Sequence, residues 1–591
     1  MTDATEESGA SKRRVTRVDG RWFLLAAAVV VGLVAWRATL GMSLSDDGYY
    51  AATTVRLAQG ARLFVDEMYL QSLGFLAAIP FAKLWLWLFG TTGVVVALRV
   101  YYVVVAAIAG ALVFRVLDRS FGRTAAFVGA VAVWVAPTYN VLSVSYDTMA
   151  ALGITLACVF CFAAVRDGRR RYAVVAGAAA AFAAVSHPPF VLPSIALLIT
   201  FAVFSRDRRL LGAMLLGAVA VAGAFLLWLF ATTSLAELRG AYDFVISIFR
   251  GTTTGPAKSA RIGTHLQQFL TALSAVWIVP LFVWFAPAAA ISAWTAYIGP
   301  ASERARARGV ALGMLPVALA VPAFAYWMAR GHHLVSLETL GGNLLIAFVV
   351  FAVAPMYTSL RQGPSDARRA LVLMSLPAAL TGFAVVLLSS SADIFWASGI
   401  VGLAPLVVAV VVWWAVEVRQ ALGMRAEMTA VASLLVALLL LLFGYGFKTD
   451  GSPLNMPAMI TEGAYAGVRV GTGRAAQLAE IERLADKWVG PTTTVTSVGL
   501  PGAYLITDGK PLTNVTWLDP GSFDQSTVDY LDRAGRWPDV VFVQLARLNK
   551  PTVVRASPFL AVILSRYTLV ERSTVGDVAV FTSSGLKPAT P

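Results

Sequence analysis

Residues 22–40 read WFLLAAAVVVGLVAWRATL, and residues 41–50 read GMSLSDDGYY. The first string is apolar apart from Arg37 near its end, and at 1.5 Å per residue it is long enough to cross a hydrocarbon core of about 30 Å. The second brings two adjacent carboxylates, Asp46 and Asp47, to the membrane face where the helix emerges. Residues 1 to 20 are polar and end in the basic cluster Lys12, Arg13, Arg14 and Arg17. A signal sequence has that layout, but the apolar run is long and no small-residue cleavage site follows. The expectation is an uncleaved first span with its N-terminus in the cytoplasm.

The same pattern recurs along the chain. Hydrophobic residues make up 58% and charged residues 14%, with a mean hydropathy of +0.72, which excludes an ordinary soluble protein. Further apolar runs lie at about 93 to 117, 124 to 140, 148 to 165, 172 to 186, 190 to 204, 210 to 231, 270 to 298, 309 to 328, 342 to 360, 370 to 389, 396 to 416 and 427 to 446. One more, 72 to 89, is long enough to span but contains Pro80 and Lys83.

Charge threads these runs through the bilayer. If 72 to 89 does not cross, the arginine-bearing loops at 119 to 123, 166 to 171, 206 to 209, 304 to 308, 361 to 369 and 419 to 425 all fall on the cytoplasmic side, as the positive-inside bias requires. If it crosses, Arg166, Arg169, Arg170 and Arg171 must be translocated. The segment is therefore read as interfacial or re-entrant, and the chain as an α-helical polytopic membrane protein with about thirteen transmembrane helices. On this threading the formal charge of +14 reflects topology and not nucleic-acid binding.

After Gly446 the composition becomes that of a soluble fold. Leu478, Ile481, Leu484 and Trp488 share one helical face within 474 to 488, 540 to 545 and 578 to 581 read as strands, and 525 to 533 and 558 to 566 as helices. The expected organisation is a cytoplasmic tail at 1–21, a multispanning domain at 22–446 and an extracytoplasmic soluble α/β domain at 447–591. No internal repeat is visible. The two cysteines, Cys158 and Cys161, lie one helical turn apart in an apolar run and read as buried thiols.

The polar groups that this threading places outside are the candidates for chemistry. Asp46 and Asp47 could supply a base at the mouth of a lipid-accessible cavity, or form a solvated loop. Asp147, after Tyr146, could serve chemistry or cap a helix. His187, before Pro188 and Pro189, offers an imidazole at the depth of lipid phosphates, or simply occupies a turn. Arg250, Lys258, Arg261, His265, Arg330, His332 and His333, together with Arg239, run against the orientation bias. Binding of an anionic phosphate and attraction to lipid headgroups explain them equally well.

Taken together, these features resemble the C superfamily of membrane glycosyltransferases, which includes protein O-mannosyltransferases and lipid A aminoarabinose transferases. The likeness is best over the first 210 residues. It rests on Asp46, Asp47 and Tyr50 in the first outer loop, Phe89-Gly90 closing the interfacial segment, Arg99 near the opening of the next span, Phe121-Gly122-Arg123 at its end, and Asp147. In the C-terminal domain it rests on Gly502-Ala503-Tyr504-Leu505, Pro538-Asp539-Val540-Val541 and Tyr567. His187-Pro188-Pro189 stands where such enzymes commonly carry Lys-Gly-Pro.

The resemblance implies an inverting transferase that moves a sugar from a polyprenyl-phosphate donor to a hydroxyl of a cell-envelope glycan, glycolipid or protein. Asp46 would be the base and Asp147 would help position the acceptor or the base. Tyr50, Tyr146, His187 and the outer cations would contact substrate. No cofactor is expected; a divalent cation at Asp46 and Asp47, as in members using pyrophosphate-linked donors, ranks second. The partners are then the lipid-linked donor, the acceptor and the bilayer. A transporter or flippase, or a non-catalytic envelope-polymer-binding protein, is the competing reading. Transporters gather polar residues near the midplane and often show repeats, whereas the acids here cluster at one face. The excess of arginine over lysine, with abundant alanine and valine, suits a GC-rich bacterial gene.

Overall fold

The computed structural model describes residues 20–135, 142–250, 267, 352–353, 355–364, 366–389, 402–444, 455–520 and 524–589. Within them the chain is mostly helical, with a small sheet region near the C-terminus. The first helices are α1 (Gly20–Ala38), α2 (Asp46–Ala58), α3 (Ile79–Phe89), α4 (Val94–Phe121), α5 (Arg123–Val135), α6 (Tyr146–Asp167), α7 (Arg170–Ser186), α8 (Val191–Ser205), α9 (Arg208–Thr232) and α10 (Leu235–Arg250). Helices Ala367–Ser389, Ala404–Leu422 and Met424–Gly444 follow. Eight helices in the described residues are long and apolar enough to cross a membrane. The runs at 270 to 298 and 309 to 328, which the count of about thirteen needs, lie outside the described residues.

Small residues set the closeness of the bundle. A Cβ on Gly177 of α7 would lie 1.8 Å from the Met214 carbonyl oxygen of α9, and one on Gly217 of α9 would lie 2.0 Å from the Val174 oxygen. The two backbones therefore touch, and van der Waals packing takes the place of the hydrophobic drive that lipid does not supply.

The arginine loops gather at one end. Arg119 donates to the Tyr172 hydroxyl at 2.8 Å, Arg419 to the Phe121 carbonyl at 2.7 Å, and Arg368 to Glu417 at 3.2 Å. Arg119 also lies 3.8 Å from Asp167, so four of the loops that the charge bias grouped together converge: those holding Arg119, Asp167, Arg368 and Arg419.

At the other end sits the C-terminal domain. Strands β1 (Ala458–Met459) and β2 (Arg469–Val470) form a small hairpin. Strands β3 (Thr494–Val498), β4 (Lys510–Pro511), β5 (Val540–Gln544), β6 (Thr568–Ser573) and β7 (Val578–Thr582) form a sheet in the order β4-β3-β5-β7-β6. β3 is parallel to β4 and β5, and β7 is antiparallel to β5 and β6. Successive strand residues face opposite sides, and both sides are covered. Val540, Phe542, Val578 and Val580 pack with Leu478, Ile481 and Leu484 of the helix Thr472–Trp488. Val541, Val543, Ala579 and Phe581 pack with Leu531 of Asp524–Arg533 and Phe559, Leu560 and Ile563 of Pro558–Arg566. This is a three-layer α/β sandwich.

The domain is sewn to the bundle by main-chain hydrogen bonds. Arg469 N donates to the Thr39 oxygen at 2.8 Å and Gly41 N to the Arg469 oxygen at 2.7 Å. Met68 N donates to Asn514, Gly93 N to Gly463 and Val95 N to Ala464. Length and composition alone admit Leu70–Phe89 as a span. The chain just before it, at Met68, and just after it, at Gly93, is bonded to the same domain, so the segment makes no net crossing. It runs as a 3-10 helix (Leu70–Ala78) into α3.

On the outer surface of this domain, Lys487, Trp488 and Arg483 all donate to Glu571 of β6, at 2.8, 3.1 and 3.1 Å. The Lys487 hydrogen bond is the main reason its carboxyl is held down to about 2. A carboxyl depressed in the fold stabilises above its unfolded value, and that contribution is lost as pH falls towards the folded value. Hydrogen exchange of β6 in the whole protein is therefore expected to accelerate as pH falls from about 4.5 towards 2, after correction for intrinsic exchange. Glu571→Gln should remove that pH dependence.

Candidate active site

The acidic pair opens α2, where negative charge is favoured by the helix N-terminus. The two carboxylates have different surroundings. Asp47 is fully buried, and Arg99 of α4 grips it with Nη2 at 2.6 Å from Oδ2 and Nε at 3.3 Å from Oδ1. Arg99 also donates to the Ala38 and Gly41 carbonyls, each at 2.8 Å. Both Asp47 oxygens are thus engaged, and the pair rivets the exit of α1 and the start of α2 to α4. Asp46 keeps part of its surface exposed.

α2 is pressed against the C-terminal domain. A Cβ on Gly48 would lie 2.7 Å from Gly502 Cα, so this position admits no side chain without moving the Pro501–Leu505 turn. Gly502 N donates in return to the Leu44 carbonyl at 2.8 Å.

Asp147 stands in the first turn of α6, near enough to Asp46 for the two charges to interact. The expectation that Asp147 caps this helix is corrected by the structure. Ser145 is the N-cap: its hydroxyl accepts from Thr148 N at 3.1 Å while its own N–H donates to the Thr148 hydroxyl at 2.9 Å. That reciprocal box occupies the capping position and leaves the Asp147 carboxylate for other partners. Asp147 is 2% exposed, its Oδ1 is 3.5 Å from His187 Nδ1, and its Oδ2 has no hydrogen-bond partner among the described residues.

His187 ends α7 in an extended conformation, φ −141° and ψ 96°, as a residue before proline prefers. Tyr146 meets the imidazole edge-on with centroids 5.0 Å apart, and Tyr50 meets Tyr146 at 6.3 Å. Tyr50, Tyr146, Asp147 and His187, drawn from three turns at one end of the bundle, are therefore neighbours, and Asp46 opens the helix that carries Tyr50. The fold holds them together at Gly74, whose missing side chain lets the 3-10 segment lie against Tyr146, 2.3 Å from where a Cβ would stand.

A second buried group went unnoticed in the sequence. Glu67 is 1% exposed and pairs with Arg56 at 3.2 Å. Its Oε2 also accepts from Thr516 N at 2.7 Å, and Arg56 donates to the Thr516 hydroxyl at 2.6 Å. Burial pushes the Glu67 carboxyl up, opposed by Arg56 and by the Thr516 donors. Beside it Tyr49 meets Trp517 edge-on at 5.4 Å. The only hint in the sequence is a pair of charges in a region otherwise committed to the membrane face, and their partner lies at residue 516.

Other expected site residues fall elsewhere. Arg250 closes α10; its side chain lies outside the described residues, as do Lys258, Arg261, His265, Arg330, His332 and His333. Arg239 sits on α10. Cys158 and Cys161 are free and buried. No group of three or more His, Cys, Asp or Glu side chains suited to a metal occurs among the described residues. Next to Asp147, Thr148 lines an apolar crevice of about 30 Å³ with Tyr102, Ala132, Leu152, Ala404 and Val408.

Residues 76–233, which include Asp147, His187 and Arg99, match the profile of the dolichyl-phosphate-mannose-protein mannosyltransferase family. The match is confined to this stretch, which resembles that family. Among solved structures the chain is similar to ArnT from Cupriavidus metallidurans bound to undecaprenyl phosphate, at 15% identity over 96% of this chain and 98% of that one, with a TM-score of 0.45. It is also similar to the archaeal oligosaccharyltransferase AglB from Archaeoglobus fulgidus in complex with an inhibitory peptide and a dolichol-phosphate, at 13% identity over 96% and 75%, TM-score 0.41. Arabinosyltransferase EmbB from Mycobacterium smegmatis overlaps at 16% identity over 74% and 44%, TM-score 0.33. No curated protein matches the chain significantly.

Proposed function

We propose that the protein is an inverting glycosyltransferase of the outer membrane face, moving a sugar from a polyprenyl-phosphate donor to a hydroxyl of a cell-envelope glycan, glycolipid or protein. The observation that carries this is the division of labour within the acidic pair. Asp47 is consumed by Arg99, which fixes α2, while Asp46 remains partly exposed on the turn that carries Tyr50 to Tyr146. A partly hydrated carboxylate held on a rigid turn suits a general base.

In the proposed step the acceptor oxygen attacks the anomeric carbon as its proton passes to Asp46. The bond from that carbon to the phosphate oxygen breaks, and the polyprenyl phosphate leaves with the electron pair. His187, if protonated beside Asp147, and the cations of 232 to 269 and 329 to 341 are the candidates to meet the leaving charge. Tyr50 and Tyr146 would flank the sugar.

The hold of Arg99 on Asp47 favours the metal-independent reading over a divalent cation shared by Asp46 and Asp47. The reading therefore takes transfer as metal-independent. It also places the N-terminus in the cytoplasm and the domain after residue 447 outside, in keeping with the arginine-rich end of the bundle.

The test is reconstitution of the full chain in liposomes containing radiolabelled polyprenyl-phosphate sugars extracted from glucose-fed cells, with envelope material added outside. Labelled product formed in the presence of EDTA is expected. If the wild-type chain neither transfers label nor releases sugar to water, the transferase reading is wrong.

A further inference from the structure

β3 is central among the parallel strands, with β4 on one side and β5 on the other. The chain leaves β3 for β4 and then crosses back to β5, which makes the carboxyl ends of β3 and β5 a topological switch point. In open α/β sheets ligands are held there, because connections diverge and leave a crevice. β4 continues along β3 past its two paired residues: Leu512 N donates to the Val495 oxygen at 2.9 Å, and Gly499 N to the Leu518 oxygen at 2.9 Å. The carboxyl ends of three neighbouring segments therefore deliver Asp519, Gly499 and, just beyond β5, Arg547.

Arg547 Nη2 lies 3.1 Å from Asp519 Oδ1, and both side chains keep about a third of their surface exposed, 33% and 29%. Gly499, with φ +77°, lies beneath Arg547: a Cβ there would be 3.3 Å from Arg547 Cγ. Trp517, two residues before Asp519, is partly exposed and touches Tyr49, three residues after Asp46. The charge of Asp519 also reaches Tyr69 at the start of the 3-10 segment. These strand ends thus abut the first turn of α2, which holds the proposed base.

Resting on the transferase reading above, we propose that the carboxyl ends of β3, β4 and β5 form the acceptor subsite, and that the acceptor is a carbohydrate. Asp519 and Arg547 then share hydrogen bonds with vicinal hydroxyls, and Trp517 packs on the apolar face of a sugar ring. A carboxylate, a guanidinium and an indole on neighbouring strand ends match the alternating polar edge and CH face of a pyranose or furanose. They offer no run of edge hydrogen bonds for an extended peptide.

Acceptor dependence measured on the whole protein in liposomes tests the subsite. Two acceptor pools are offered separately with the radiolabelled lipid-phosphate sugars: oligosaccharides released from cell envelopes by mild acid, and tryptic peptides from the same envelopes. Label is expected in the oligosaccharides. Asp519→Asn and Arg547→Lys should each raise the KM for oligosaccharide by about tenfold or more, as expected when buried polar contacts to a substrate are broken. The double charge swap Asp519→Arg with Arg547→Asp separates binding from mere structure: it should recover the thermal midpoint and not the KM. An oligosaccharide KM within twofold of wild type in both single variants, full recovery of KM by the swap, or label in peptides alone would overturn the subsite while leaving the transferase reading intact. Loss of all donor turnover in the wild type sinks both.

Discussion

Asp46→Asn is expected to lower the rate of sugar transfer by about two to four orders of magnitude, the usual contribution of a positioned general base, with little change in thermal midpoint. The amide keeps the shape of the side chain and removes the proton acceptor. Asp46 is partly exposed, so water can solvate the amide, and the effect should fall on kcat. Binding of polyprenyl phosphate should be unchanged. A variant that retains more than a tenth of wild-type kcat would remove Asp46 from the chemistry. The neighbouring Asp47→Asn should behave in the opposite way, with a lowered melting temperature that precedes and explains its loss of activity.

The second large effect follows from the partner of Asp47. Arg99→Met removes a guanidinium that satisfies both Asp47 oxygens and two main-chain carbonyls at the junction of α1 and α2. Truncating one partner of a buried pair leaves the other charge uncompensated and costs about 3–5 kcal/mol. The variant should unfold at markedly lower temperature in detergent. Adding Asp47→Leu to Arg99→Met should recover much of that loss, because an apolar pair of similar volume carries no stranded charge. If Arg99→Met alone melts with the wild type, the pair does not hold the turn together and the distinction drawn between Asp46 and Asp47 fails.

That distinction also marks what could be read without coordinates. The membrane runs were legible because an apolar stretch of about twenty residues has few other fates, and α6, α7 and α8 start and end within two residues of the runs at 148 to 165, 172 to 186 and 190 to 204. The helix over residues 472–488 and the strands β5 and β7 were legible from periodicity. β6 was legible only through the resemblance, which implies a final strand pair after Tyr567: its register shifts between Leu569 and Glu571, and a bulge erases the alternation on which strand reading depends. β3 was missed because Thr494, Thr496 and Ser497 look like loop residues, although Thr496 and Ser497 are buried and bonded, Thr496 to the Leu512 carbonyl and Ser497 to that of Leu500.

At the site, the residue types were legible and their roles were not. Nothing local separates Asp46 from Asp47; the separation comes from Arg99, which the fold brings back across 52 positions. Asp147 looked like a cap because it precedes an apolar run, and only the Ser145–Thr148 box shows that the position was already filled. The cations of 251 to 333 stay where the sequence left them, outside the described residues.

Thr516 reaches Glu67 across 449 positions of chain. At roughly 5–20 residues per second, a ribosome needs about 20 to 90 seconds to make that stretch. For all of that time the Glu67 carboxylate has no Thr516 to bind. Maturation of the front half must therefore wait for the last quarter of the polypeptide, and a nascent product that terminates before residue 516 would leave the segment around Glu67 open to quality-control proteases.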